Sequence, residues 1–169
     1  MIYTLEEAIG WADTLHKLGN TVVLTGGYFD PVHAGHIRLF KHVPTPSRLI
    51  VAVNGDEAAI KKKGYVFLPI YQRLEILNAM KFIDILVVNP HSTMCSMIET
   101  IKPNIYAKGG DVTQENLIDE EKISCDKVGC KIIYNVGGSK IESSSELVKK
   151  SKQKKSEWEQ YIERLEIRV

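Results

Sequence analysis

Thr21-Val-Val-Leu-Thr-Gly-Gly-Tyr-Phe-Asp-Pro-Val-His-Ala-Gly-His36 is the stretch that decides the fold of this chain. Its first residues form a short β-rich run without polar alternation, the pattern of a strand buried on both faces. Glycines 26 and 27 end the run, and glycine directly after a strand lets the backbone approach a ligand closely. A helix is expected to start near Gly35, with its unpaired N–H groups facing an anion. His33 and His36 stand three apart at that start, which puts both imidazoles on one face. The chain has no Walker A motif and no G-x-G-x-x-G, yet this segment has the parts of a phosphate site. A metal site is the competing reading, with Asp30 as a further ligand. No Cys or His follows at ligand spacing, so no resident metal is expected.

Outward from this segment the same grammar repeats. Buried strands are predicted at Arg48–Val53, Ile83–Val88, Asn104–Ala107 and Lys131–Val136, each closed by a polar or glycine-rich turn. Helices are predicted over residues 5–18, 35–43, 70–80, 92–101 and 114–128, the first opened by a capping box between Thr4 and Glu7. Asn54-Gly-Asp56 reads as a turn and helix start. Strands alternating with helices predict an α/β, Rossmann-like doubly wound fold, with about five parallel strands and helices on both faces. Ligands in such sheets bind at the carboxyl ends of the strands. The loops after residues 26, 54, 108 and 137 all fall on that edge. From Ser143 to Val169 the chain reads as a helical tail, with a basic stretch from Lys149 to Lys155 and a partial apolar stripe of Trp158, Tyr161, Ile162 and Leu165.

Composition sets the limits. The 169 residues have 44% hydrophobic and 25% charged content, which suits one globular domain and excludes disorder as the main state. Twenty-two basic against 21 acidic residues leave a net charge of +1, so a strongly basic nucleic-acid binder is excluded. No apolar run reaches the ~18 residues of a bilayer span. The acidic N-terminus does not read as a signal peptide, so a cytoplasmic protein without membrane insertion is expected. Cys95, Cys125 and Cys130 form no C-x-x-C pair and are expected to be reduced thiols.

Gly27-Tyr-Phe-Asp-Pro-Val-His-Ala-Gly-His36 resembles the signature of the nucleotidylyltransferase superfamily, whose cytidylyltransferase-like members carry an H-x-G-H motif on a Rossmann-like domain. Leu49–Asp56, Lys61-Lys-Lys-Gly64 and Gln72-Arg73 resemble the blocks that follow in that branch, and Lys108-Gly-Gly-Asp111 closely resembles the K-G-G-D of heptose-1-phosphate adenylyltransferases. Ser143-Ser-Ser145 resembles the block that opens the family's last helix. The resemblance spans roughly residues 5–150, which implies a nucleotidylyltransferase domain over 1–150 and a separate helical tail over 151–169. Two departures stand out: Asp30-Pro-Val-His33 is closer to mononucleotide adenylyltransferases, and Tyr65–Pro69 lacks the Arg-Pro of the heptose enzymes.

The resemblance implies transfer of a nucleotidyl group from a nucleoside triphosphate to a phosphorylated acceptor, with release of pyrophosphate and Mg²⁺ carried on the triphosphate. His33 and His36 are then expected to donate to the α-phosphate as charge develops there. One of Lys61, Lys62 and Lys63 bridges it to the acceptor phosphate. Gly27, Tyr28, Phe29, Asp30 and Gly35 form the nucleotide loop, with Asp30 more an orienting group than a chemical one. Arg73 holds phosphate oxygens, and Asp56, Lys63 and Arg73 face the acceptor. Lys108, Gly109, Gly110 and Asp111 face the base or ribose. Ser143, Ser144 and Ser145 hold the β- and γ-phosphates at a helix start. The expected substrates are ATP and a sugar phosphate. CTP with glycerol 3-phosphate or a similar small phosphate is the alternative. A mononucleotide adenylyltransferase and a non-catalytic nucleotide sensor rank behind them. Such enzymes are often dimers, so a homo-oligomer is expected.

Overall fold

The computed structural model describes residues 1–110, 112–139 and 143–151. Asp111 and the tail beyond residue 151, with its lysines and its Trp158–Leu165 stripe, lie outside the described residues. A six-stranded, wholly parallel sheet forms the centre, in the order β1-β4-β3-β2-β5-β6. Its strands are β1 (Ile2–Tyr3), β2 (Val22–Gly27), β3 (Arg48–Asn54), β4 (Ile85–Asn89), β5 (Ile105–Ala107) and β6 (Lys131–Ile133). The helices are α1 (Leu5–Lys17), α2 (Ala34–Lys41), α3 (Asp56–Lys63), α4 (Ile70–Asn78), α5 (Cys95–Ile101) and α6 (Asp119–Val128), and residues 144–151 are helical as α7.

The doubly wound expectation holds, and the burial explains it. Side chains alternate across a strand. Val22 and Leu24 of β2 therefore pack into one core with Ala8 and Ala12 of α1, Met97 and Ile98 of α5 and Cys125 of α6. Val23 packs into the opposite core with Leu39 and Phe40 of α2 and Leu77 of α4. Both faces are covered, which is why the strands read as apolar runs.

The structure departs from the sequence expectation in four places. The sixth strand, β1, has two residues, too few to show any periodicity, and adds at the edge by pairing Ile2 with Leu86 and Tyr3 with Val87. The stretch from Asp56 to Lys63 is a full helix that Gly64 ends in the left-handed conformation, at φ 79°. The three lysines thus occupy its last turn. The helix expected from residue 114 starts at Asp119, because Thr113–Leu117 is taken up in a turn in which Asn116 Oδ1 accepts from the Thr113 N–H. The last strand stops at Ile133. Beyond it, the Val136 N–H donates to the Lys108 carbonyl and Gly110 bridges Ser139, tying the two glycine loops together.

The chain runs from β2 outward through β3 and β4, then returns to β5 and β6 on the other side. Strand order therefore reverses at β2, and the crevice above its carboxyl end is where such sheets take ligands. The cysteines are free thiols. Among the described residues no helix is long and apolar enough to cross a membrane.

Candidate active site

A cleft opens above the carboxyl end of β2. Its space, open solvent at the mouth included, is about 1030 Å³. It is walled by residues 25–29, His33, Gly35, His36, Lys63, Lys108–Gly110, Gly137–Ser139 and Ser143–Ser145.

The histidine segment is shaped by local geometry. His33 caps α2, its Nδ1 accepting from the Gly35 N–H at 3.2 Å, while the His33 N–H donates to His36 Nδ1 at 3.2 Å. An Nδ1 that accepts leaves the proton on Nε2, so each ring presents an Nε2–H donor. The rings stack at 3.8 Å between centroids. Gly35 permits this, because a Cβ there would lie 2.9 Å from His33 Cε1. Phe29 holds the other side of His36, with ring centroids 4.9 Å apart and edge to face. It does so from a left-handed backbone, at φ 52°. Such a conformation costs a non-glycine residue roughly 1–3 kcal/mol. Burial first, then the charges of His33 and Lys63, pushes the His36 pKa down to about 3. At neutral pH His36 is therefore an uncharged hydrogen-bond donor.

Only one of the three candidate lysines, Lys63, lines the cleft. Its ammonium sits 4.7 Å from the centre of the Tyr28 ring and donates to the Asp30 carbonyl at 3.5 Å. Burial lowers its pKa, the Asp30 charge opposes that shift and the Arg73 charge adds to it. Lys61 and Lys62 are exposed on the same helix end, outside the cleft.

Three expectations need correction. Arg73 does not reach the cleft. Its side chain is 0% exposed, and its guanidinium donates to the carbonyls of Leu68 (2.9 Å), Tyr28 (2.6 Å) and Asn54 (2.8 Å) and to Asp56 Oδ1 (2.6 Å). Asp56 is spent on the same clamp, its second oxygen accepting from the Ile70 N–H. Asp30 is fully buried and does not line the cleft. Its carboxylate accepts from the N–H groups of Phe67 (2.9 Å) and Leu68 (2.7 Å). These three groups knit the ends of β2 and β3 to the start of α4.

The far wall holds the glycine loop. Lys108 lines the cleft, but its ammonium turns toward Tyr106 Oη (2.9 Å) and Glu121 Oε2 (3.5 Å). Glu121, on α6, also accepts from the Tyr106 hydroxyl (2.9 Å) and the Met94 N–H (2.9 Å). Burial, then Glu121, raises the Tyr106 pKa well above its usual value. Sequence reasoning missed Tyr106 and Glu121. The tyrosine reads as one more strand residue, and the glutamate as part of an ordinary acidic helix start.

The serines lie at the mouth. Ser143 opens α7 through a reciprocal pair: its Oγ accepts from the Glu146 N–H and the Glu146 carboxylate accepts from the Ser143 N–H. Ser144 Oγ donates to the Pro31 carbonyl at 2.8 Å, fastening this helix start to the histidine loop. Gly137, at φ 87°, runs against α2, where a Cβ would come within 2.7 Å of the Arg38 carbonyl carbon.

Gly27, Tyr28, Phe29, His33, Gly35, His36, Lys63, Lys108, Gly109, Gly110 and Ser143–Ser145 are thus gathered around one space, from loops far apart in the chain. Imidazole N–H donors, one half-buried ammonium and a helix start face it together, an arrangement suited to polyphosphate.

Comparison with known proteins agrees with this geometry. The "Bifunctional protein HldE" of Gluconobacter oxydans is 30% identical over 141 residues, covering 81% of this chain and 27% of that protein. The protein of the same name from Salmonella paratyphi A is 34% identical over 125 residues, covering 72% of this chain and 26% of that one. The chain thus spans about a quarter of the length of these curated relatives. Among solved structures, a lipopolysaccharide core biosynthesis protein from Thermoplasma volcanium superposes with a TM-score of 0.57 at 25% identity, over 68% of this chain and 94% of that one. A pantoate–β-alanine ligase from Francisella tularensis shares the fold, with a TM-score of 0.54 at 15% identity over 79% of this chain and 66% of that one. The model of the Cytidylyltransferase-like family matches residues 24–164, from the middle of β2 through all of the cleft, and the chain belongs to that family.

Proposed function

We propose that this protein is a nucleotidylyltransferase that transfers AMP from Mg²⁺-bound ATP to the phosphate of a small phosphorylated sugar and releases pyrophosphate. The observation that carries the reading is the convergence of the stacked His33–His36 pair, Lys63, the 108–110 loop and the α7 start on one cleft. The sugar is inferred from the heptose-type resemblance of Lys108-Gly-Gly and from the HldE relatives.

An oxygen of the acceptor phosphate attacks the α-phosphorus in line. The bond from that phosphorus to the bridging oxygen breaks, and pyrophosphate leaves with the electron pair. The acceptor oxygen is already anionic, so no side-chain nucleophile or general base is required. Negative charge gathers on the α-phosphate oxygens, and the Nε2–H groups of His33 and His36 donate there. A well-placed donor of this kind is worth ~10²–10³ in rate. Lys63 offsets repulsion between the acceptor and α-phosphate anions. The backbone N–H groups of Ser144 and Ser145 at the α7 start and the Ser145 hydroxyl take the β- and γ-phosphates, and the backbone of Gly109 and Gly110 faces the nucleoside. The ion travels as part of the nucleotide substrate.

The test is pyrophosphate release with Mg²⁺, crossing ATP and CTP against heptose 1-phosphates, other sugar 1-phosphates, glycerol 3-phosphate and nicotinate mononucleotide. Turnover with ATP and a sugar 1-phosphate is expected, and His36→Ala should abolish most of it while nucleotide binding survives. Turnover with CTP and glycerol 3-phosphate alone would keep the mechanism and replace the substrates. Turnover unaffected by His36→Ala would overturn the mechanism.

A further inference from the structure

We infer that Tyr28 is the positioning residue for Lys63, and that its ring is what selects this lysine from the run Lys61-Lys62-Lys63 for work in the cleft. The inference rests on the nucleotidyl-transfer reading above and adds to it the device that aims the cation.

Three observations converge on Tyr28. First, the Lys63 ammonium lies 4.7 Å from the ring centroid. An aromatic face attracts a cation out to about 6 Å from its centre. Second, Tyr28 is held by its backbone and by its hydroxyl. Arg73 Nη1 donates to the Tyr28 carbonyl at 2.6 Å, and the Tyr28 hydroxyl reaches the Ala58 carbonyl of α3 at 3.4 Å. The ring is thereby tied to the helix that carries Lys63. Third, Lys63 is half-buried, and its only hydrogen bond among those of the described residues is the long one to the Asp30 carbonyl. A flexible four-carbon side chain loses much rotamer freedom when held in one place. A single long hydrogen bond does little against that loss, whereas the aromatic face adds an attraction with no directional demand. It also leaves the N–H groups of the ammonium open to swing onto phosphate oxygens. Lys61 and Lys62, two and one positions earlier, project from other sides of the helix and line no part of the cleft.

The experiment compares Tyr28→Leu with Tyr28→Phe, in the natural chain and in a Lys63→Gln background. Phenylalanine keeps the aromatic face and leucine does not. With Lys63 present, kcat for pyrophosphate release is expected to be about fivefold lower for Leu than for Phe. In the Lys63→Gln background the two should differ by less than about twofold. Equal ratios in the two backgrounds would show that Tyr28 acts only on packing, and would overturn the inference. A second readout needs no turnover. After reductive ¹³C-methylation, the Lys63 methyl resonance should be shifted upfield by the ring current in the natural chain and in Tyr28→Phe, and should move to the position of the other lysines in Tyr28→Leu. A Lys63 resonance without the upfield shift in the natural chain would overturn the inference even if transfer is confirmed. The shift present, with no turnover on any substrate pair, would keep the ring–lysine placement and refute the nucleotidyl-transfer reading instead.

Discussion

Replacing Arg73 separates two roles that its place in the chain leaves equivalent. As a phosphate ligand it would be dispensable for folding and decisive for substrate affinity. As the buried clamp seen here, it is the reverse. Arg73→Met removes the donors to three carbonyls, those of Tyr28, Asn54 and Leu68, and to Asp56. A buried acceptor left without a donor costs about 1–3 kcal/mol. The Asp56 side chain is 33% exposed and regains water, so its share is discounted. The methionine restores part of the lost packing. The expected loss is about 3–5 kcal/mol, comparable with breaking a buried ion pair by removing one partner. For a domain of this length that is a fall of roughly 6–20 °C in Tm. Arg73→Lys keeps the charge, but one ammonium cannot span four acceptors set around a planar fork, and about 2 kcal/mol should be lost. Urea unfolding of both variants, with the slope checked against the natural chain, gives these numbers directly. Both variants within about 1 kcal/mol of the natural chain, together with a roughly tenfold or greater rise in KM for either phosphate substrate, would refute the clamp and restore Arg73 to the substrate.

Three further outcomes follow from the same geometry. Gly35→Ala places a Cβ 2.9 Å from His33 Cε1, so the ring pair must separate. Turnover should then fall by roughly a hundredfold in kcat, with a smaller change in nucleotide affinity by equilibrium titration. His36 has a folded pKa of about 3 against 6.5. Its contribution to stability is therefore full above pH 6.5 and is lost as pH falls toward 3, because the unfolded chain takes up a proton that the folded chain refuses. His36→Asn should flatten the fall of unfolding free energy with acid between about pH 4 and 6, by up to about 1.4 kcal/mol per pH unit, and identical slopes in urea titrations would contradict the burial argument. Gly137→Ala forces a left-handed φ of 87° and drives a Cβ to 2.7 Å from the α2 backbone. A loss of about 2 kcal/mol or more is expected by thermal or urea unfolding.

Much of this protein is legible in one dimension, for a physical reason. A strand covered on both faces has to be apolar throughout, and a parallel neighbour has to be reached through a helix, so the run-and-turn grammar of residues 21–136 predicts the doubly wound sheet. Local chemistry is legible as well. Thr4 and Glu7 form the expected capping box, and His33 and His36 meet because the first is the extended N-cap of α2 and the second, three residues on, accepts from its N–H. What needs long-range packing is not legible. Strand β1 is too short for any period and exists because the edge of β4 offers it partners. Three adjacent lysines are equivalent as a string, and only the course of α3 past Tyr28 brings Lys63 into the cleft. Arg73 and Asp30 carry the charges expected of phosphate and loop chemistry, yet burial turns both into internal ties. An ionised group out of water must spend its hydrogen bonds on whatever surrounds it. Tyr106 and Glu121, 15 residues apart, join behind Lys108 through the β5–α6 crossover alone. The amino-acid sequence by itself determined the layers, the sheet edge that bears the cleft and the histidine pair that lines it. Which charges face the cleft and which hold its walls together was decided only by the tertiary structure, since desolvation depends on neighbours that the chain brings in from far away.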